Sequence, residues 1–95
     1  MKQPVIITSS YILYLEQDNG FTFIHCDVLN KWTKEVKKQL SNSFKELTTQ
    51  YGQPLYALHT KKDKKHEKFL KMFDFSYLQS ITGLNGNNYD IYVWR

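Results

Sequence analysis

Three histidines and one cysteine are the side chains of this 95-residue chain best suited to bind a metal or to act as a nucleophile. His25 and Cys26 are neighbours in a predicted strand, so their side chains point to opposite faces and are poorly placed to act as a pair. A βαβ connection could bring His25 near His59, whereas His66 lies near the start of a predicted helix. A metal or acid–base site would need these imidazoles to converge with a carboxylate such as Asp27. We therefore predict partly buried, hydrogen-bonded imidazoles without a metal site, and a Cys26 that is a small core residue.

Local catalytic motifs are missing from the sequence. It contains no G-x-x-x-x-G-K-[ST], G-x-G-x-x-G, H-E-x-x-H or G-x-S-x-G segment, so phosphate-loop, dinucleotide-binding, zinc-protease and hydrolase readings have no local support. A single cysteine excludes an internal disulfide and the CxxC frameworks for zinc and redox chemistry.

The composition predicts one small folded domain. Apolar residues make up 41% and aromatic residues 16% of the chain, which is enough to fill one core. No apolar run approaches the roughly 20 residues that span a bilayer, and the first residues lack the pattern of a secretory signal. We therefore expect a cytoplasmic protein with no membrane partner.

The formal net charge of +4 arises largely from one segment. Residues 61–71 hold six lysines against Asp63 and Glu67. Lysines on the outer face of a helix keep small domains soluble, and this interpretation is favoured because it requires no partner. An acidic or phosphate-bearing partner is the alternative.

The first half of the sequence predicts three strands and one long helix. Residues 4–8 form a short edge strand, and residues 11–17 pair with Phe21–Val28 in a hairpin across an Asp-Asn-Gly turn. A helix is predicted over residues 30–51, with Asn30 as its N-cap and Gly52 as its stop. Its apolar stripe consists of Trp32, Val36, Leu40, Phe44, Leu47 and Tyr51.

The second half predicts a strand over residues 54–60, a helix over residues 63–73, and strands over residues 75–81 and 89–95. The element order is thus β-β-β-α-β-α-β-β. The third strand, first helix and fourth strand form a βαβ unit, which sets those strands parallel and adjacent. The fold class is α/β (α+β), a single domain over residues 1–95 with a mixed, mainly antiparallel sheet and two helices.

This order from residue 10 onward resembles the GNAT acetyltransferase superfamily, without that family's first strand and first two helices. The β-α-β-α-β-β core resembles the short, reduced forms found in tailed phages, which would place the protein in a host cytoplasm. A local pattern carries the likeness: residues 63–75 resemble the family's N-x-x-A-x-x-[FL]-Y-x-x-x-G-F. The matching residues are Asp63, His66, Phe69, Leu70, Asp74 and Phe75.

The resemblance implies acetyl-coenzyme A as the cofactor. In the family its pyrophosphate lies on a [QR]-x-x-G-x-[GA] turn at the start of the long helix, where residues 32–37 stand here. Glu35 and Lys37 fill the two small positions of that turn. Leu70 replaces the tyrosine that acts as the family's general acid, so no catalytic residue is assigned. The implied cofactor-binding residues are Cys26, Asp27, Val28, Lys31, Thr33 and Lys34.

Three functions remain open from the sequence. The favoured hypothesis is a GNAT-like domain that has lost efficient acetyl transfer and binds a protein or another macromolecule. The first alternative is an active acetyl-coenzyme A-dependent N-acetyltransferase with a divergent cofactor site. The second alternative is a nucleic-acid-binding module that uses the lysines of residues 61–66, although the chain has only one arginine, at its C-terminus.

Overall fold

The computed structural model describes residues 1–60 and 62–95, which form an α+β fold of six strands and two helices. The predicted order of elements is confirmed. The strands are β1 (Lys2–Ile7), β2 (Tyr11–Asp18), β3 (Phe21–Val28), β4 (Leu55–His59), β5 (Ser76–Thr82) and β6 (Asn88–Trp94). The helices are α1 (Lys34–Tyr51) and α2 (Lys64–Met72). The chain divides into two compact units, Met1–Gln53 and Pro54–Arg95.

In the first unit, β1 pairs antiparallel with β2, and β2 pairs antiparallel with β3. The hairpin between β2 and β3 turns through Asn19 and Gly20, whose φ angles are 52° and 83°. Both central residues of a type I′ turn need a positive φ, which asparagine and glycine tolerate best. The predicted hairpin is therefore confirmed, and its turn residues explain its register.

The N-cap of helix α1 lies three residues later than predicted. Thr33, not Asn30, is the N-cap, and its hydroxyl accepts a hydrogen bond from the Val36 amide at 3.1 Å. The Asn30 side chain instead donates to the Ser9 carbonyl at 2.7 Å, outside the helix. Trp32 precedes the helix and is 42% exposed, so its predicted place on the apolar stripe of the helix is wrong.

The buried stripe of α1 follows a spacing of four residues. Val36, Leu40 and Phe44 are buried as predicted, but Thr48 completes the row and Leu47 is only half-buried. The Thr48 hydroxyl donates to the Lys45 carbonyl at 3.0 Å, which satisfies it inside the helix. The helix ends as predicted at Gly52, whose φ of 69° is left-handed.

Two hydroxyl pairs join α1 to the strands of its unit. The Tyr11 hydroxyl lies 2.6 Å from the Ser43 hydroxyl, and the Thr22 hydroxyl lies 2.5 Å from that of Tyr51. Tyr11 is fully buried, so this hydrogen bond satisfies a polar group that water does not reach. The two pairs fix both the rotation and the position of the helix along the strands.

In the second unit, β6 is the central strand and pairs antiparallel with both β4 and β5. The turn between β5 and β6 is closed by a hydrogen bond from the Gly83 amide to the Asn87 carbonyl at 2.8 Å. A side chain on Gly83 would place its Cβ 2.9 Å from the Tyr89 ring, which explains the glycine. The predicted parallel pairing of β3 with β4 would join the two units and stays a prediction.

Helix α2 is capped by Asp63, whose carboxylate accepts a hydrogen bond from the His66 amide at 3.0 Å. The helix is followed by Asp74, whose φ of 63° is left-handed, and the chain then turns into β5. Leu70, Phe73 and Phe75 are buried and supply the core beneath this turn. Among the described residues, neither helix combines the length and the apolar character that crossing a membrane requires.

Candidate functional site

Three of the six residues implied to bind a cofactor lie at the end of β3. Cys26, Asp27 and Val28 stand opposite Leu13, Ile12 and Tyr11 in the antiparallel register with β2. The side chains of Asp27 and Val28 are exposed, and Cys26 is half-buried, so it is not the core residue that we predicted. These positions therefore belong to a regular strand pair within the first unit.

Cys26 is a poor nucleophile in this setting. Burial, and secondly the negative charge of Asp27, raise the pKa of its thiol to about 11. Only the thiolate attacks an electrophile or binds a metal, so the group is almost entirely protonated and inert at neutral pH.

The other three implied residues, Lys31, Thr33 and Lys34, are exposed at the start of α1. The Thr33 hydroxyl already accepts the Val36 amide, and the Thr33 carbonyl accepts the Lys37 amide at 3.0 Å. Glu35 adds a carboxylate in the first turn, where the helix dipole favours a negative charge. The chain's own groups thus cap this helix end, and they do not fit the glycine-containing turn that lets a pyrophosphate approach the backbone.

The place of the family's general acid is also unsuited to proton transfer. Leu70, in α2, is 1% exposed and has no ionisable group. The residue at this position can contribute only to the core of the second unit.

The histidines have partners that the sequence did not predict. The His25 Nε2 atom lies 2.9 Å from a carboxylate oxygen of Glu16, and both side chains are about one-third exposed. His59, which is 2% exposed, brings its Nδ1 atom within 3.0 Å of Nδ1 of His66. The prediction of hydrogen-bonded imidazoles is confirmed. In residues 1–60 and 62–95, no group of three or more His, Cys, Asp or Glu side chains could hold a metal ion.

The most unusual surface of the second unit is β5. All seven of its residues are exposed, none is charged, and its large apolar side chains include Tyr77, Leu78 and Ile81, at 56%, 38% and 38% exposure. Within the part of the chain that the structure describes, β5 pairs with β6 alone and stands last in the strand order. Its outer edge therefore presents backbone donors and acceptors to the surroundings.

Tyr77 is held in place on this strand. Its hydroxyl lies 2.7 Å from that of Ser80, which donates to the buried Asp90 carboxylate at 2.7 Å. Its ring also meets the Tyr92 ring edge-on, with centroids 5.9 Å apart. An exposed aromatic side chain that is fixed in this way loses little conformational freedom when a partner covers it.

A groove of about 370 Å³ runs beside the first residues of β5. Its lining combines apolar and charged side chains: Asp74, Ser76, Tyr77, Leu78, Val93 and Arg95. The register of β5 also shifts between Tyr77 and Gln79, which marks Leu78 as the extra residue of a bulge. The groove and the bulge give the outer edge a defined shape.

The exposed face of α2 is basic. Its lysines are Lys64, Lys65, Lys68 and Lys71, all exposed. Lys71 forms an ion pair with Glu67 at 3.2 Å. Lys61, the first lysine of the predicted basic segment, lies outside the described residues. By sequence, residues 54–95 contain seven basic and four acidic side chains, a formal charge of +3.

No family model, no curated protein and no solved structure matches this chain.

Sequence reasoning missed both the exposure of β5 and the pairing of His59 with His66. The uncharged segment of residues 76–82 was visible in the sequence, because seven residues without a charge are unusual on an exposed strand. The outermost position of β5 was not visible in the sequence, because the order of strands depends on long-range pairing. The seven-residue separation of His59 and His66 carries no local signal of contact.

Proposed function

We propose that this protein is an acetyltransferase-like domain without efficient acetyl transfer, and that it binds an extended segment of another protein along β5. One observation carries the proposal: β5 is an outer strand whose seven side chains are all exposed and uncharged. Strand addition obtains its affinity from main-chain hydrogen bonds along such an edge, and its specificity from alternate side chains.

The acetyltransferase-like part of the proposal rests on the resemblance and on one backbone feature. The family pattern has a glycine where Asp74 stands, and Asp74 has a φ of 63°, which glycine adopts most easily. Aspartate is one of the few other residues that enter this region. The proposed loss of acetyl transfer is supported by the self-capped start of α1, with Thr33 and Glu35, and by the buried Leu70.

Electrostatics favour an acidic partner segment. The unit that contains β5 has a formal charge of +3, and the exposed face of α2 is lined with lysines. An acidic segment would be attracted to this unit, whereas a second copy of the chain would bring the same positive charge. Nucleic acid is less favoured because the chain has a single arginine, and because a nucleotide strand cannot continue the peptide ladder of β5.

A displayed library of random peptides, selected on the full chain, tests this proposal. We expect enriched peptides to alternate apolar and polar residues and to contain acidic residues. Ile81→Glu should lower the affinity of the protein for these peptides by at least about tenfold. The change removes an exposed apolar contact and adds a charge that repels acidic residues of the peptide. The matched control is Val5→Glu on β1, since Val5 is exposed to a similar extent, 42% against 38%.

The same selection separates the alternatives. Peptides that bind Ile81→Glu as tightly as the parent would overturn strand addition at β5. Concentration-dependent dimerisation of the parent that Ile81→Glu abolishes would identify a second copy as the occupant instead. Retention of an oligonucleotide at physiological salt, lost when Lys62, Lys64 and Lys65 are neutralised together, would replace the proposal with the nucleic-acid hypothesis.

A further inference from the structure

The dipeptide Asn-Gly occurs twice in the chain, once in each unit. Asn19-Gly20 forms the turn between β2 and β3, and Asn85-Gly86 lies in the loop between β5 and β6. All four residues are exposed. When glycine follows asparagine, the glycine nitrogen can attack the carbonyl carbon of the asparagine side chain, because glycine has no side chain to obstruct the approach. The two dipeptides therefore place the same reacting atoms in two different structures.

The turn at Asn19 keeps its reacting atoms apart. The φ angles of Asn19 and Gly20 are 52° and 83°, as in a type I′ turn. The first central residue of such a turn has a ψ of about 30°, which directs the next nitrogen away from Cβ. Ring closure needs that nitrogen on the same side as Cβ. The strands pair as far as Asp18 and Phe21, so the required rotation would open the end of the hairpin.

The side chain of Asn85 is oriented by two hydrogen bonds. Its Oδ1 atom accepts the Asn87 amide at 3.0 Å, and its Nδ2 atom donates to the Tyr89 hydroxyl at 3.1 Å. An amide N–H that points at a carbonyl oxygen stabilises the negative charge that develops there during attack. A hydroxyl beside the nitrogen can supply the proton that a departing amine needs. The loop thus places both kinds of group at one asparagine.

One hydrogen bond opposes the attack at Asn85. The Gly86 amide donates to the Gly83 carbonyl at 2.9 Å, and rotation of this peptide toward the side chain breaks the bond. The two ends of the loop remain joined, because the Gly83 amide donates to the Asn87 carbonyl at 2.8 Å. The rotation therefore costs one hydrogen bond in an exposed loop, whereas in the first hairpin it would disrupt paired strands.

We propose that Asn85 is a site of spontaneous deamidation through a cyclic imide, and that the loop assists the reaction. Solvent hydroxide removes the Gly86 amide proton. The nitrogen lone pair then forms a bond to Cγ of Asn85, while the carbonyl electrons move to Oδ1. The oxyanion collapses, the Cγ–Nδ2 bond breaks, and the nitrogen leaves as ammonia with a proton from the Tyr89 hydroxyl. Water returns a proton to the tyrosine and restores the hydroxide.

Water then opens the imide at either of its two carbonyl carbons. Cleavage between Cγ and the Gly86 nitrogen gives aspartate, and cleavage between the backbone carbonyl carbon and that nitrogen gives isoaspartate. The whole reaction consumes one water and releases one ammonia. A fifth acidic side chain then faces the seven basic ones of residues 54–95, so their formal charge falls from +3 to +2. The site goes beyond the proposed protein-binding function and does not depend on it.

Incubation of the full chain at mildly alkaline pH, followed by peptide mapping, tests the site. Trypsin cleaves after lysine, so the two Asn-Gly dipeptides fall on separate peptides, residues 3–31 and 72–95. Fragmentation in the mass spectrometer locates the change and distinguishes aspartate from isoaspartate. In the folded chain, deamidation at Asn85 should be at least about tenfold faster than at Asn19. In denaturant the two rates should become similar, because the reacting atoms are the same.

Tyr89→Phe separates assistance by the loop from exposure alone. The variant keeps the ring and removes the hydroxyl, so deamidation at Asn85 should slow by at least about threefold, since water replaces the hydroxyl only in part. The rate at Asn19 should not change. Asn85→Gln is the matched control, because its longer side chain must close a larger ring, and it should abolish the fast reaction.

Two results would overturn the proposed site. Equal rates at the two asparagines of the folded chain, or a faster rate at Asn19, would show that the loop does not favour the reaction. This comparison uses the parent chain alone and needs no variant. An unchanged or faster rate at Asn85 in Tyr89→Phe would show that the hydroxyl gives no assistance.

Discussion

The two units of this protein are built from similar elements but expose different chemistry. Met1–Gln53 contains a helix of 18 residues that is capped at both ends and joined to its strands by two hydroxyl pairs. Pro54–Arg95 contains a helix of nine residues, a buried histidine pair and an exposed, uncharged strand. The first unit concentrates the features that stabilise a fold, and the second concentrates the exposed, uncharged surface on which the proposed binding function rests.

The outer strands β1 and β5 show the difference most clearly. Each has a bulge, at Val5 and at Leu78 respectively. Strand β1 also carries Lys2 and Pro4, which disfavour the addition of another strand. Strand β5 has neither a charge nor a proline. The two strands thus share a bulge, but the edge of β1 is protected against pairing and the edge of β5 is open to it.

The largest expected effect is on the core of the first unit. Leu40 is 1% exposed, so Leu40→Ala should lower the free energy of unfolding by about 2–5 kcal/mol, measured by urea denaturation. Leu47→Ala is the control on the same helix and should cost less, because Leu47 is half-buried. A loss below about 0.5 kcal/mol at Leu40 would show that the buried face of α1 is assigned wrongly.

The thiol of Cys26 should react slowly with electrophiles, so we expect no thiol chemistry in the first unit. A pKa raised from 9.0 to about 11 lowers the thiolate fraction at neutral pH by roughly a hundredfold, so alkylation by iodoacetamide should slow accordingly. The rate should rise with pH until about 11. Asp27→Asn should speed the reaction, because it removes the negative charge that opposes the thiolate. Alkylation at the rate of a free thiol would contradict the half-buried placement.

Removal of the Ser43 hydroxyl should lower the free energy of unfolding by more than removal of the Tyr11 hydroxyl with which it is paired. Ser43→Ala leaves the hydroxyl of the fully buried Tyr11 without its partner and should cost about 1–3 kcal/mol. Tyr11→Phe removes the buried hydroxyl itself and should cost less, about 0.5–1.5 kcal/mol. Equal losses in the two variants, measured by urea denaturation, would indicate that water reaches this hydroxyl.

The smallest expected signal is binding of acetyl-coenzyme A to the start of α1. Isothermal titration should detect weak binding or none, because Thr33 already accepts the Val36 amide and Glu35 places a negative charge in the first turn. Glu35→Gly with Lys37→Gly should improve binding if the other implied cofactor-binding residues still form a site. Each glycine should lower the stability of the helix by about 1 kcal/mol. Micromolar affinity with acetyl transfer by the parent would establish the enzyme hypothesis instead.

A matched control is available on the same helix for the glycine variant. Lys38→Gly with Gln39→Gly introduces the same number of glycines at exposed positions outside the turn pattern. If this control improves binding equally, the gain reflects a loosened helix rather than access to its first turn.

Local sequence signals predicted much of the fold. The spacing of Val36, Leu40 and Phe44 predicted a buried helix face, and Gly52 predicted its end. The Asn-Gly turn predicted the first hairpin. These features depend on interactions between residues a few positions apart, so the sequence is sufficient to read them.

The start of α1 shows where local signals become ambiguous. Asn30 and Thr33 are both good N-cap residues, and their spacing allows either to begin the helix. The choice depends on Ser9, 21 residues away, whose carbonyl accepts the Asn30 side chain. A long-range contact therefore decides between two local solutions that are nearly equivalent.

The candidate sites depended on tertiary structure almost entirely. The sequence grouped His25 with His59 as strand residues, but the fold of the second unit places His66 of α2 against His59. It also placed residues 75–81 in a strand without indicating which strand would be outermost. Helices and turns arise from neighbours in the chain, whereas strand order and side-chain convergence arise from residues brought together only when the core is packed.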